Sequence, residues 1–156
     1  MQTKNDGLKF AMKLISLRRR SVFEIAERLR KKEFEENVIG EILEELKGYK
    51  YLDDWQFAES YINDRMNFSP RGRFLIKKEL QEKGVAENII EEKMEELVSE
   101  EKEVESARKL AEKKLRIIGD KNDKNKTNQK IISYLQSRGY SFEIISQAVK
   151  NEIEWE

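Results

Sequence analysis

One spacing of apolar residues recurs three times along this chain, which reads as an array of similar modules. In the first copy Leu29 is followed by Phe34, Ile39, Leu43 and Leu46, at steps of five, five, four and three residues. Leu80, Val85, Ile90, Met94 and Leu97 reproduce those steps. Leu135, Tyr140, Ile145 and Val149 reproduce the first three, and Ile153 follows four residues on. The first step of each copy contains a turn: Lys32-Glu33-Phe34, Lys83-Gly84-Val85 and Arg138-Gly139-Tyr140. Glycine suits the left-handed position just past a helix end, where a Cβ is penalised. Glu33 lacks that freedom, so its turn is expected to be strained or differently shaped.

Upstream of each pattern an apolar segment runs from an alanine to a basic residue seven positions on: Ala11 to Arg18, Ala58 to Arg65, Ala107 to Lys114. The distance from that alanine to the leucine of the second helix grows from 18 to 22 to 28 residues. The growth falls around Ser69-Pro70-Arg71-Gly72 and across residues 119–125. Three three-helix repeats account for the pattern: residues 8–50, 51–98 and 99–156, the last with a longer flexible loop near 119–128. Ser21-Val22-Phe23-Glu24 forms a capping box opening the second helix of copy one. Asp53 to Gln56 offers a similar start after Gly48 and Tyr49 end the preceding helix. Between Glu87 and Leu115 there is no Gly or Pro, so the helices there run together or bend near Ser99. No alternating run of strand length is present. The expected fold class is all-α.

Composition narrows the chemistry. The 156 residues include no histidine and no cysteine. Ser-His-Asp and Cys-His catalysis, disulfides and thiolate or imidazole metal sites are therefore excluded. Neither a phosphate-binding glycine loop nor a dinucleotide fingerprint occurs. Asp53-Asp54 lacks a third carboxylate at ligand spacing and reads as a helix cap. The expectation is no enzyme, no cofactor and no metal. No stretch approaches the roughly 18 apolar residues of a membrane span, and Met1 to Lys9 lacks the apolar core of a secretory signal. A cytoplasmic chain with no membrane partner is expected.

Charge then supplies candidate binding residues. The 31 basic and 31 acidic side chains balance overall but are sorted locally. The third helix of copy one, Glu35 to Leu46, carries five Glu and no basic residue, and its counterpart Ala86 to Leu97 carries five Glu and one Lys. Such helices would be repelled from a DNA groove lined by phosphates about 1.7 Å apart along the axis. First and second helices instead hold Arg18, Arg19, Arg20, Arg28, Arg30, Lys31 and Lys32, then Arg65, Arg71, Arg73, Lys77 and Lys78. Ser69-Pro70-Arg71-Gly72-Arg73 is the best local candidate for an anion contact, because free amides at a helix start favour negative charge. The alternative there is a basic helix start that contacts only neighbouring carboxylates. Tyr51, Leu52, Phe57 and Tyr61 recur at helical spacing and read as core, the alternative being base-stacking platforms, and Trp55 is expected to be partly exposed.

These motifs resemble the RecX family of bacterial regulatory proteins. The likeness rests on Arg18-Arg19-Arg20-Ser21, on Leu29 with Lys32 and Phe34, and on Tyr51-Leu52-Asp53-Asp54 with Phe57-Ala58 and Arg65. Pro70-Arg71-Gly72, Leu75, Glu79-Leu80 and Lys83-Gly84-Val85 extend it. The resemblance implies tandem three-helix repeats in an elongated, curved array, and a monomeric, non-catalytic regulator of the RecA recombinase. Its partners would be the RecA–DNA filament and single-stranded or duplex DNA within or beside it. Its effect would be to modulate, mostly to inhibit, ATP hydrolysis, strand exchange and co-protease activity. The basic residues expected to face them are Arg18, Arg19, Arg20, Arg28, Lys31, Lys32, Arg65, Arg71, Arg73, Lys77 and Lys78. The other reading is a stand-alone helical DNA-binding protein, transcriptional or architectural.

Overall fold

A computed structural model describes residues 2–119 and 123–153. Among these, nine α-helices and no strand form. They are α1 (Lys4–Leu17), α2 (Val22–Lys31), α3 (Glu36–Gly48), α4 (Asp54–Asn67), α5 (Arg73–Glu82), α6 (Glu87–Leu97), α7 (Glu100–Ile118), α8 (Lys124–Ser137) and α9 (Phe142–Ile153). The chain divides into two compact units, Met1–Ser60 with Leu80–Glu91, and Tyr61–Glu79 with Glu92–Glu156.

Helix starts follow local capping chemistry, in which a short polar side chain accepts an otherwise orphaned amide. Ser21 and Glu24 close a reciprocal box on α2, as their spacing predicts, and Thr3 and Asp6 do the same for α1. Asp53 accepts from the amides of Trp55 and Gln56 at 2.9 and 3.4 Å, so it caps α4. Ser99 caps α7, which separates α6 from α7 at the bend expected there. Two boundaries differ from the sequence reading. The segment read as a loop near 119–128 is helical from Lys124, because Asp123 accepts from the amide of Lys126 at 2.9 Å and starts α8 early. Residues 120–122 lie outside the described ones. Helix α5 starts at Arg73, after the Ser-Pro-Arg-Gly segment and not within it.

The recurring five-residue step has a specific cause. Phe34 donates its amide to the carbonyl of Leu29, Val85 to Leu80 and Tyr140 to Leu135, at 3.2, 3.1 and 3.2 Å. Glu33, Gly84 and Gly139 donate to Arg30, Gln81 and Gln136 one bond inside. This is the Schellman closure of a helix, with its left-handed residue second from the end and apolar residues on both sides of the long bond. All three left-handed residues are present, at φ 67°, 75° and 90°. Glu33 thus adopts the same turn as its glycine counterparts, carrying a Cβ where it is disfavoured by about 1–2 kcal/mol. Replacing Glu33 with glycine is expected to stabilise the protein by up to about 1 kcal/mol, the strain relief being partly offset by glycine's freedom in the unfolded chain. A urea or thermal melt checks the sign, and a loss of stability would contradict the strained turn.

The pattern residues form the cores. In the first unit Ala11, Leu14, Ile25, Leu29, Phe34, Ile39, Ile42, Leu46 and Leu52 cluster, with Leu43 partly buried against them. In the second, Val104, Ala107, Leu110, Ile131, Leu135, Tyr140, Ile145 and Ala148 repeat that arrangement. The three register alanines, Ala11, Ala58 and Ala107, are each fully buried, as close helix approach requires. Burying each Leu or Ile of the pattern contributes on the order of 1.5–3 kcal/mol. No described helix is long and apolar enough to cross a membrane.

Candidate functional site

Each unit contains a junction between successive copies, and both junctions use the same chemistry. In the first unit the N-terminus of α2 meets copy two. The Ser21 hydroxyl donates to the carbonyl of Lys83 at 2.6 Å, and the Val22 amide donates to Asp54 Oδ1 at 2.9 Å. In the second unit the N-terminus of α5 meets copy three. The Gly72 amide donates to the carbonyl of Arg138 at 2.8 Å, and the Arg73 amide donates to Glu103 Oε2 at 2.9 Å. Lys83 and Arg138 hold equivalent places in their Schellman turns, and Asp54 and Glu103 each stand four residues before the register alanine. A carboxylate from the next copy therefore caps the second helix of the one before.

These junctions consume the segment that looked best for an anion. The Gly72 and Arg73 amides are both donated within the protein. Arg73 Nε reaches Glu103 Oε1 at 2.8 Å, and Glu103 is 1% exposed. Arg71 bonds Glu79 and the Ser69 carbonyl and hydroxyl, and its side chain is 12% exposed. Glu79 also accepts from Tyr61 at 2.8 Å, and burial followed by that bond pushes the Tyr61 hydroxyl up to about 12. Of the two readings of this segment, contact with internal carboxylates is the one the geometry supports. Charge reversal at Arg71 would break its bonds to Glu79 and Ser69, and at Arg73 the junction itself, before either reported on any partner.

The remaining candidates divide between the units. Arg18 bonds Glu24 at 2.7 Å and the Arg19 carbonyl at 2.7 Å. Burial works against the Glu24 carboxylate, but Arg18, the Ser21 amide and Lys83 outweigh it and hold its pKa below the ordinary glutamate value. Arg20 is half-buried, its Nε lacks a hydrogen-bond partner, and burial followed by the Arg18 and Arg28 charges lowers its pKa. Arg28 and Lys32 both stand over the Phe10 ring of α1, at 5.9 and 5.5 Å from its centroid. Lys31 is exposed beside them. Arg19, Arg28, Lys31 and Lys32 have no carboxylate partner among the described residues. In the second unit Arg65 lies over Tyr61 at 5.1 Å, Lys77 is half-buried and Lys78 exposed. The Glu-rich α3 turns Glu36, Glu41 and Glu44 to solvent.

Assigning Tyr51 to the core was incorrect. Leu52 and Phe57 are buried, but Tyr51 is 50% exposed and Trp55 38%. A periodic reading misses this because Tyr51 precedes α4 and follows Lys50, whose φ of 64° turns the chain out of α3. Among the described residues no group of three or more acidic side chains is placed to hold a metal ion.

With this geometry in view, comparison with known proteins is decisive. The first, second and third three-helix domains of RecX match residues 8–46, 53–94 and 100–149. The chain belongs to the RecX family. Relatives named regulatory protein RecX include that of Clostridium tetani, 34% identical over 96% of this chain and 66% of its own length. Another, from Bacillus licheniformis, is 38% identical over 92% of this chain and 54% of its own. The chain thus spans about half to two thirds of these RecX proteins. A crystal structure of RecX from Lactobacillus salivarius superposes with a TM-score of 0.82 at 30% identity, covering 95% of both chains. A second RecX crystal structure gives 0.84 at 25% identity, over 96% of this chain and 73% of the other.

Proposed function

We propose that this protein is a non-catalytic regulator that docks on the RecA–DNA filament and lowers its ATP hydrolysis, strand exchange and co-protease activity. RecX membership supplies the regulatory role. The observation that carries the docking surface is the cationic face of the first unit, where Arg28 and Lys32 are held over Phe10, next to Lys31 and Arg20. Stacking on an aromatic ring fixes long side chains in place, which reduces the entropy lost when they meet a phosphate or carboxylate. Arg20 adds a buried donor without a partner. Arg71 is held within copy two by Glu79 and Ser69 and Arg73 at the junction by Glu103, so neither is counted in this surface.

The test is single-stranded-DNA-dependent ATP hydrolysis by the cognate recombinase, titrated with this protein. The native chain is expected to suppress turnover. Arg28→Glu with Lys32→Glu is expected to raise the concentration needed for half-suppression by about tenfold or more, with helicity by circular dichroism unchanged. Suppression by the double variant equal to that of the native chain would remove this face. No suppression by the native chain would remove the regulatory reading itself.

A further inference from the structure

The end of α7 and the first half of α8 form the walls of a cleft of about 510 Å³ in the second unit, an ordinary volume for a ligand site. Lys114 lines it from α7, and Lys126 and Lys130 from α8, with Gln129, Ser133 and Tyr134 beside them. No carboxylate lines it among the described residues, and α8 carries none between Lys124 and Ser137. None of the three lysines has an ion-pair partner among the described residues. Asp123, next to α8 in the chain, accepts the Lys126 amide at 2.9 Å and caps the helix.

Copy one fills the corresponding places differently. Seven residues after the register alanine stand Arg18 and Lys114, and five before the leucine of the second helix stand Glu24 and Lys130. Arg18 and Glu24 join their helices by an ion pair at 2.7 Å. Copy two has Arg65 and the apolar Leu75 there. Copy three instead puts lysine at both places and adds Lys126 four residues before Lys130. Like charges at that spacing on a helix repel, and the positive end of the helix dipole opposes both. Lys114 is held over the Tyr134 ring, 4.8 Å from its centroid, which fixes its ammonium in place. Cations gathered on one cavity, with the acid of the earlier pair replaced, leave their counter-charge to come from outside the chain.

We propose that this cleft binds a small oligophosphate anion, the phosphate chain of free triphosphate or of a nucleoside triphosphate, on Lys114, Lys126 and Lys130. One phosphate group carries about two charges at neutral pH, so a chain of them matches three cations better than a single phosphate does. Convergence of the lysines on one cavity concentrates their field on a compact anion. Lys114 covers one face of Tyr134, and no other aromatic ring lines the cleft among the described residues. The series of stacking platforms that holds a nucleic-acid strand is therefore missing. The site shares no residue with the cationic face of the first unit and stands independently of any recombinase.

Calorimetric titration of the full chain with inorganic triphosphate is expected to show saturable binding. Lys130→Glu, which rebuilds with Lys114 the pairing of Arg18 and Glu24, is expected to weaken that binding about tenfold or more. The same variant should melt at a higher temperature than the native chain when no anion is present. Lys113→Gln, exposed on α7 outside the cleft, should bind as the native chain does. Tighter binding of ATP than of triphosphate would name a nucleoside triphosphate as the source, and equal or weaker binding the inorganic chain. Absence of saturable binding, binding unchanged in Lys130→Glu, or equal weakening in Lys113→Gln would overturn the proposal. A lowered melting temperature in Lys130→Glu would also overturn it, since the two lysines would then not oppose each other. So would displacement of triphosphate by oligothymidylate at equal phosphate concentration, which would give the cleft to a strand.

Discussion

Gly139→Ala is expected to destabilise the protein by about 3 kcal/mol, lowering the urea midpoint clearly without changing the slope of the transition. Two costs combine. The backbone stands at φ 90°, where alanine is disfavoured. An added Cβ would also fall on the Leu75 Cβ and lie 2.6 Å from the Leu75 amide nitrogen. Relief by movement is blocked, because the facing group is backbone in the first turn of α5. That turn is tied to copy three by the Gly72 amide on the Arg138 carbonyl, and a Cβ on Gly72 would itself strike the Gly139 carbonyl. Gly84→Ala provides the comparison. Its added Cβ would fall on the Phe23 Cβ, which the α2 backbone fixes and no side-chain rotation moves. Gly84→Ala should therefore cost about as much as Gly139→Ala. A clearly smaller cost would mean that the facing segments yield there and that torsion alone sets the penalty at Gly84.

Glu103→Leu is expected to cost a similar amount, about 3 kcal/mol, and Glu103→Gln about half as much. The carboxylate is almost wholly buried and accepts two bonds from one residue, from the Arg73 amide and from Arg73 Nε. Leucine fills the space but leaves the first amide of α5 without an acceptor and the guanidinium without a counter-charge. Glutamine keeps one acceptor and no charge. The Arg73 side chain is 33% exposed and can partly rehydrate, which holds the penalty below that of a sealed pair. Arg73→Ala should exceed Glu103→Leu, since it leaves a buried carboxylate without its counter-charge and with only the residue-73 amide as donor. A double-mutant cycle in urea would measure the coupling. Coupling below about 0.5 kcal/mol would show that the pair packs without stabilising the junction.

Both predictions concern contacts that no local pattern announces, and they show where reading the sequence stops. The steps of five, five and four among Leu29, Phe34, Ile39 and Leu43 locate the helices. The first spans a Schellman closure, the second joins the residue before the α3 cap to the buried face of its first turn, and the third is helical periodicity. The same signal places Ser21 and Glu24 as a box and Asp53 as a cap. It fails at Asp123, where one capping side chain outweighs the loop-like composition that follows. It also fails at Tyr51, because periodicity cannot tell a residue inside a helix from one just before it.

Among the basic side chains the division is sharper. Sequence alone determined that positive charge gathers on first and second helices and glutamate on the third helices of copies one and two, because each follows from which residues share a short segment. Only the tertiary structure decided that Arg71 and Arg73 are consumed internally while Arg28, Lys31 and Lys32 have no carboxylate partner among the described residues. The Arg73 partner lies 30 residues away in the chain, and the Gly72 amide finds its acceptor 66 residues on. Hydrogen bonds at such separations depend on how copies dock, and a one-dimensional spacing carries no record of docking.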